Sequence, residues 1–226
     1  GRIIILTTGT TGTPKAALYS WDTLFSQTTF GKKQSKANEL VWLLAYPLNH
    51  IAGIQILNYT LSSRSKLVIP SSSHFEDILH EIKNNGVNAI SATPTFWRFF
   101  LGKIDEDSIN FSMKQMTLGG EIVTPELLEK MKSLFPEAKI SQVFATTELG
   151  SCFSVNDGLP GFPIEYLKRP VGNVELKIVD SELYIRAPKK MKGYLNKETE
   201  LVNQGEWIAT GDMVEIQDYR VFFKGR

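Results

Sequence analysis

The stretch "RIIILTTGTTGTPK", residues 2–15, decides the fold that the sequence predicts. Its first part, "RIIIL", has the β-branched, apolar composition of a buried strand. Its second part is small and polar and ends at Lys15. Glycine lets a backbone approach an anion closely, while threonine hydroxyls and a lysine supply hydrogen-bond donors and a positive charge. A strand followed by such a loop is typical of a phosphate-binding segment.

The composition is that of a globular protein. The chain has 226 residues, of which 42% are hydrophobic, which is enough for one good core or a core with a smaller satellite domain. A formal net charge of +1, with both signs mixed along the chain, gives no electrostatic footprint for nucleic acid or for an anionic membrane. With a lone cysteine and no run of about 18 apolar residues, we expect a cytoplasmic enzyme with no membrane span and no nucleic-acid partner.

The first part of the chain alternates β-branched runs with amphipathic stretches. Predicted strands cover residues 2–6, 40–46, 65–69, 87–91 and 115–119, and predicted helices cover residues 74–86, 94–104 and 124–135. This alternation predicts an α/β fold with a mostly parallel sheet flanked by helices.

The last part of the chain has a different texture. Its apolar runs are short, alternate in polarity and have no long helix between them, which is typical of antiparallel strands. A cluster of glycine and proline at residues 157–172 is the natural connector. We therefore expect an α/β subdomain over residues 1–160 and a smaller β-rich subdomain over residues 161–226.

The loop is not a good Walker loop, G-x-x-x-x-G-K-[ST]. Counting from Gly9, the second glycine position is occupied by Pro14, which removes a backbone N–H donor. The position of the magnesium-binding hydroxyl is occupied by Ala16, which cannot bind a metal. A P-loop phosphotransferase is therefore disfavoured.

Instead, "TTGTTGTPK", residues 7–15, resembles the phosphate-loop signature of the adenylate-forming, or AMP-binding, superfamily. This superfamily includes acyl- and aryl-CoA synthetases, adenylation domains of nonribosomal synthetases, and luciferases. Further segments that resemble its motifs follow in the family's order: "PLNHIAG" (47–53), "LGGE" (118–121), "QVFATTE" (142–148), "ATGD" (209–212) and "FKGR" (223–226). In kind, the chain is most similar to an acyl-CoA synthetase or an o-succinylbenzoate-CoA ligase-like enzyme.

The resemblance implies an ATP-dependent, AMP-forming carboxylate ligase. Such an enzyme joins a carboxylic acid to the α-phosphate of ATP, releases pyrophosphate and passes the acyl group to a thiol. The implied cofactors are ATP and Mg²⁺, with CoA as the expected co-substrate and carrier-protein phosphopantetheine as the alternative acceptor. Because negative charge must be neutralised at several oxygens together, this chemistry needs many donors around the phosphates.

The resemblance also assigns roles to single residues. It implies that residues 1–160 bind nucleotide and acid, with Thr147 on the α-phosphate, Glu148 as the Mg²⁺ ligand and His50 at the acid pocket as the catalytic residues. The residues implied to bind ATP are Thr7, Thr8, Gly9, Thr10, Thr11, Gly12 and Lys15 at the β- and γ-phosphates, Gly119, Gly120 and Glu121 in the turn lining the adenine and acyl sites, Gln142 and Phe144 at the adenine, and Asp212, Phe223 and Arg226 at the ribose.

The chain departs from the family pattern at several points. Ala145 replaces the usual glycine, and Phe144 replaces the more frequent tyrosine. The family's N-terminal subdomain and its C-terminal lid domain, which carries a lysine that contacts the reacting groups, are missing from this stretch. We therefore expect a piece of a longer polypeptide that is poorly active by itself. A non-catalytic nucleotide-binding module or a degenerate paralogue is the alternative function.

The acid is only partly constrained by the sequence. Family members that activate α-amino acids place an aspartate in the helix-entry segment, because a buried substrate ammonium needs a partner. Residues 45–57, "AYPLNHIAGIQIL", contain no acidic residue. An acyl or aryl acid is therefore favoured over an amino acid as the small-molecule substrate.

Overall fold

The computed structural model describes residues 1–8, 14–26, 39–106, 109–187, 191–195 and 206–226, without the side chains of residues 7, 8, 14, 25 and 26. The strands are β1 (Arg2–Thr8), β2 (Pro14–Ser20), β3 (Val41–Leu43), β4 (Lys66–Val68), β5 (Ala89–Ala92), β6 (Gln115–Gly119), β7 (Lys139–Thr146), β8 (Gly150–Val155), β9 (Phe162–Pro163), β10 (Glu175–Val179), β11 (Glu182–Arg186), β12 (Gly193–Tyr194), β13 (Ile208–Gln217) and β14 (Arg220–Gly225). The helices are α1 (Trp21–Ser26), α2 (Ile51–Ser63), α3 (Phe75–Asn85), α4 (Pro94–Lys103) and α5 (Pro125–Leu134), with a 3₁₀ helix at Ile164–Leu167.

A six-stranded sheet in the order β4-β3-β5-β6-β7-β8 forms the centre of the fold. Its strands are parallel except for β8, which is antiparallel to β7. This confirms the predicted α/β fold with a mostly parallel sheet. The crossover helices have clear local signals. The Thr93 hydroxyl accepts from the Phe96 N–H at the start of α4, and Gly86 ends α3 in the left-handed conformation at φ 64°.

The main core lies between this sheet and helices α3, α4 and α5. Met116 and Leu118 of β6 are fully buried against residues such as Ile82 of α3 and Met131 of α5. Trp97 of α4 is also fully buried, and its indole N–H donates to the Thr117 carbonyl at 3.0 Å. The sheet and the helices are therefore held together by apolar packing, and the buried indole N–H of Trp97 has a hydrogen-bond partner.

A separate five-stranded antiparallel sheet has the order β10-β11-β13-β14-β9. Its inner residues, such as Leu183 and Val221, pack with Phe153 and Val155 of β8 in a second core. The predicted smaller antiparallel unit is thus confirmed as a separate sheet, whereas the exact boundary after residue 160 stays a prediction.

A third sheet has three antiparallel strands in the order β1-β2-β12. Its inner face buries Ile5, Ala17 and Tyr19 together with Ile51 of α2. The third strand, β12, comes from the part of the sequence assigned to the second subdomain, and the sequence patterns did not predict it. None of the described helices is long and apolar enough to cross a membrane.

Candidate active site

A cavity of about 510 Å³ opens beside the carboxyl end of β6, between β7 and β14. Ligands of open α/β sheets commonly bind outside the carboxyl ends of the strands. The residues predicted to bind nucleotide that line this cavity are Gly120, Glu121, Gln142, Phe144, Asp212, Phe223 and Arg226. They come from four motifs, at residues 118–121, 142–148, 209–212 and 223–226, and the two cores bring these together.

Stacked aromatic rings form one wall of the cavity. The Phe144 ring stacks on Phe223 with a centroid separation of 5.1 Å and on Phe153 with a separation of 5.3 Å. Phe144 was predicted to lie at the adenine. Its ring is part of a stack of three and is not an isolated ring face.

Two polar side chains lie at this wall with defined partners. The Gln142 amide nitrogen donates to the Leu159 carbonyl at 2.6 Å, which leaves the amide oxygen as the atom able to accept from an amine. The Arg226 Nε donates to Asp212 Oδ1 at 2.8 Å. Only 15% of the Asp212 side chain is exposed, so this ion pair holds a mostly buried carboxylate in one orientation.

The turn after β6 is shaped by its glycines. A Cβ at Gly119 would lie 3.1 Å from the Val143 carbonyl oxygen, and Gly120 has φ 83°, which side chains rarely adopt. The next residue, Glu121, accepts hydrogen bonds from the backbone N–H and hydroxyl of Thr95 at the start of α4. Both hydrogen bonds end on Oε2, so Glu121 stabilises the start of α4 through this oxygen while it lines the cavity.

A second group of predicted residues lies beside the cavity and outside its lining. Glu148 lies in the turn between β7 and β8, and its carboxylate Oε1 accepts a hydrogen bond from the Tyr194 hydroxyl. The Lys15 ammonium lies over the Tyr194 ring, 5.5 Å from its centroid. Tyr194 was missed by the sequence reasoning, although it contacts two of the predicted residues.

Known proteins resemble this chain over nearly its whole length. The family model described as "AMP-binding enzyme" matches residues 2–195. The chain belongs to the AMP-binding enzyme family. The 2-succinylbenzoate–CoA ligase of Escherichia coli K12 is 28% identical over 98% of this chain and 47% of that protein. The chain thus spans about half the length of the curated relatives it matches.

Solved structures of two proteins share the fold of this chain. The o-succinylbenzoate-CoA synthetase of Bacillus subtilis, solved with ATP and magnesium ion, aligns with a TM-score of 0.74 at 22% identity. The alignment covers 97% of this chain and 49% of the synthetase chain. The luciferase-like enzyme of the mealworm Zophobas morio aligns with a TM-score of 0.76 at 21% identity. The alignment covers 99% of this chain and 57% of the luciferase-like chain.

His50 immediately precedes α2. Its Nδ1 accepts from the Ala52 N–H at 3.2 Å, so it is the N-cap of the helix. The ring stacks on Tyr46, whose hydroxyl donates to the Gly119 carbonyl at 3.3 Å. Burial lowers the pKa of His50, which keeps the imidazole neutral and able to accept. His50 is thus connected through Tyr46 to the turn that lines the cavity.

The structure describes the predicted phosphate loop only in part. Gly9, Thr10, Thr11 and Gly12 lie outside the described residues, and only the backbone of Thr7 and Thr8 is described.

Cys152 follows Glu148 closely in the chain. Burial raises the pKa of its thiol to about 12, so the group is a neutral, unreactive thiol near pH 7.

The described residues contain no group of three or more His, Cys, Asp or Glu side chains that could hold a metal ion. The donor set is nevertheless suitable for Mg²⁺. This ion keeps several waters and is commonly bound by one or two carboxylates together with substrate phosphates. Glu148 offers such a carboxylate, and its Oε2 accepts no hydrogen bond from the described residues.

Proposed function

We propose that the protein containing this chain is an ATP-dependent, AMP-forming carboxylate ligase. It would activate a carboxylic acid as an acyl-adenylate and transfer the acyl group to CoA. The observation that carries the proposal is that one cavity is lined by residues from four segments that resemble motifs of the AMP-binding family, two of which lie within the matched residues 2–195. Because one family motif could occur by chance, their meeting at a single cavity is stronger support than any motif alone.

The cavity walls match the parts of AMP in chemical type. An adenine would lie against the rings of Phe144 and Phe223, with the Gln142 amide oxygen accepting from its exocyclic amine. Asp212 would accept hydrogen bonds from the ribose hydroxyls, and Arg226 orients that carboxylate through its ion pair. These assignments keep one side of the nucleotide apolar and the other charged.

The phosphates would lie toward the second group of residues. Lys15 and the loop before it would hold the β- and γ-phosphates, Thr147 would donate to the α-phosphate, and Glu148 would bind Mg²⁺. When bound, Mg²⁺ supplies charge neutralisation to the phosphate oxygens. Lys15 then adds a second positive charge on the same side, which favours departure of pyrophosphate.

The reaction has two steps. A carboxylate oxygen of the acid attacks the α-phosphorus, the bond from that phosphorus to the bridging oxygen of pyrophosphate breaks, and the acyl-adenylate forms. The thiolate of CoA then attacks the acyl carbon and AMP leaves with the electron pair. This chain's residues would hold the acid and the α-phosphate in contact, which is the main contribution of positioning in phosphoryl chemistry.

An acyl or aryl acid fits better than an amino acid. Neither residues 45–57 nor α2 contains a carboxylate to pair with an ammonium. The relative from Escherichia coli is named as a ligase of 2-succinylbenzoate to CoA, which supports an aryl acid and CoA. A carrier-protein phosphopantetheine is the alternative acceptor, since its reacting thiol is the same.

The proposal is tested by ATP–pyrophosphate exchange in the full-length protein. The acids to compare are 2-succinylbenzoate, substituted cinnamates, fatty acids and α-amino acids. We expect an aryl or acyl acid to support exchange. Since Asp212 would bind both ribose hydroxyls, Asp212→Asn should lower kcat/KM for ATP by about 10-fold or more, the effect of losing hydrogen bonds to a charged group.

The matched control is Asp218→Asn. Asp218 lies in the turn between β13 and β14, has φ 52°, and is outside the cavity, so asparagine is tolerated there. We expect exchange rates equal to those of the wild type. Nucleotide binding without exchange for any acid would instead favour the non-catalytic nucleotide-binding module. Absence of nucleotide binding would reject the proposal.

A further inference from the structure

The segment Met191–Leu195 joins two parts of the site that are far apart in the sequence. The Lys192 N–H donates to the Leu18 carbonyl at 2.7 Å, and the Leu195 N–H donates to the Ala16 carbonyl at 3.0 Å. Strand β12 is thereby added to β2 immediately after Lys15. Since Tyr194 pairs with the inward-facing Ala17, its side chain points into the inner face of the three-stranded sheet.

The same segment also holds Glu148. The Met191 N–H donates to the Glu148 carbonyl at 2.8 Å, and the Tyr194 hydroxyl donates to the Glu148 carboxylate at Oε1. Glu148 lies in a turn, where no strand ladder fixes its side chain. Two hydrogen bonds from one neighbouring segment therefore fix both its backbone and its carboxylate.

The Tyr194 ring has a second role toward Lys15. The ammonium lies 5.5 Å from the ring centroid, within the distance at which the electron-rich face of an aromatic ring attracts a cation. Tyr194 therefore contacts Lys15 through its ring face and Glu148 through its hydroxyl.

We infer that Tyr194 is a positioning residue that orients Glu148 and Lys15 together toward the metal–triphosphate end of the nucleotide. By occupying Oε1, it leaves Glu148 Oε2 to face the cation, while its ring holds the lysine on the same side. The inference rests on the proposed function, in which Glu148 binds Mg²⁺ and Lys15 binds the terminal phosphates.

The inference is tested by binding rather than turnover, in the full-length protein with Tyr194→Phe. Mn²⁺ replaces Mg²⁺, and the binding of Mn²⁺ with a non-hydrolysable ATP analogue is followed by loss of the free-Mn²⁺ electron paramagnetic resonance signal. Residues that hydrogen-bond a metal ligand typically change metal affinity 10–100-fold, so we expect Mn²⁺ affinity in this complex to fall about 10-fold. AMP lacks the β- and γ-phosphates that Lys15 and the metal would bind, so it should bind as in the wild type.

The matched control is Tyr219→Phe, the same chemical change at a tyrosine that is 79% exposed in a turn. It should change neither Mn²⁺ nor AMP affinity. Equal Mn²⁺ affinity in Tyr194→Phe and the wild type would overturn the inference. Equal weakening of AMP and Mn²⁺ binding would also overturn it, since general distortion of the fold would explain both.

Glu148→Gln separates this inference from the proposed function. If Glu148→Gln weakens Mn²⁺ binding while Tyr194→Phe does not, only the role of Tyr194 is wrong. If neither substitution weakens Mn²⁺ binding, Glu148 is not the metal ligand, and both the role of Tyr194 and the metal-binding role of Glu148 are wrong, whereas the proposed activity is judged by ATP–pyrophosphate exchange. Glu129→Gln is the control for this change, because Glu129 is exposed on α5.

Discussion

The six-stranded and three-stranded sheets both contribute to the site, but they are completed in different ways. In the six-stranded sheet, strands β5, β6, β7 and β8 are neighbours in both sequence order and space, and helices α3, α4 and α5 pack against the sheet. In the three-stranded sheet, the hairpin of β1 and β2 is completed by β12 from late in the chain. The first sheet shapes the cavity through its strand ends, whereas the second holds Lys15 and Glu148 through long-range pairing.

The two sheets also differ in whether their buried polar side chains have hydrogen-bond partners. Trp97, at the core of the six-stranded sheet, donates its indole N–H to Thr117. Tyr19, at the core of the three-stranded sheet, is fully buried and its hydroxyl has no partner among the described residues. On the outer face of the same sheet, Ile4 and Leu6 are 55% and 62% exposed. The six-stranded sheet should therefore contribute most of the stability. Substitutions in the three-stranded sheet should lower the free energy of unfolding less.

The largest expected effect is in the six-stranded sheet. Trp97→Ala removes a fully buried ring and its hydrogen bond, so we expect the free energy of unfolding to fall by about 3–5 kcal/mol. Urea denaturation of the full-length protein followed by circular dichroism measures this change. The control is Phe99→Ala in the same helix, where the ring is 52% exposed and a loss of at most about 1 kcal/mol is expected. Equal losses at the two positions would contradict the assigned core.

Much of the α/β fold was predictable because its signals are local. The strand at residues 115–119 and the helix at 94–104 each show apolar periodicity, and Pro94 and Gly86 mark helix ends close to where they occur. Strand β12 could not be predicted, since Gly193–Tyr194 is only two residues long and has no periodicity. Its existence depends on its partner β2, which the local sequence does not encode.

The candidate site likewise has some residues that the sequence predicts and some contacts that it does not. The motifs that carry Gln142, Phe144 and Asp212 were predicted to bind one nucleotide, and these residues do line one cavity, although their roles in binding stay predictions. Tyr194 was missed because a single tyrosine after a glycine matches no motif that the sequence reasoning used. The occupation of Glu121 by the start of α4 was also not predictable, since it depends on how a helix and a distant turn meet.

A smaller effect is expected at His50, the N-cap of α2, whose neighbour Ile51 packs on the three-stranded sheet. Because burial lowers its pKa in the folded protein, the unfolded chain takes up a proton first as the pH falls below about 6.5. Its contribution to stability is thus fully present above that pH and is lost progressively below it. His50→Asn keeps a capping side chain but does not titrate, so it should flatten this part of the pH dependence of Tm.

His74→Asn is the control for His50. His74 is the N-cap of α3, but its side chain makes no capping hydrogen bond. We expect the pH dependence of Tm to stay as in the wild type. If His74→Asn and His50→Asn flatten the profile equally, the pH dependence does not arise from the cap of α2.

The smallest effect, and the one most specific to the three-stranded sheet, is expected for Tyr19→Phe. Removing a buried hydroxyl without a partner relieves its desolvation, so the free energy of unfolding should stay equal or rise by up to about 1 kcal/mol. Tyr46→Phe is the control: its hydroxyl donates to Gly119, so its loss should cost about 1 kcal/mol. Urea denaturation of both variants measures the difference. A loss of more than about 1 kcal/mol in Tyr19→Phe would mean that the hydroxyl has a partner in the full-length protein, and the contrast between the two sheets would not hold.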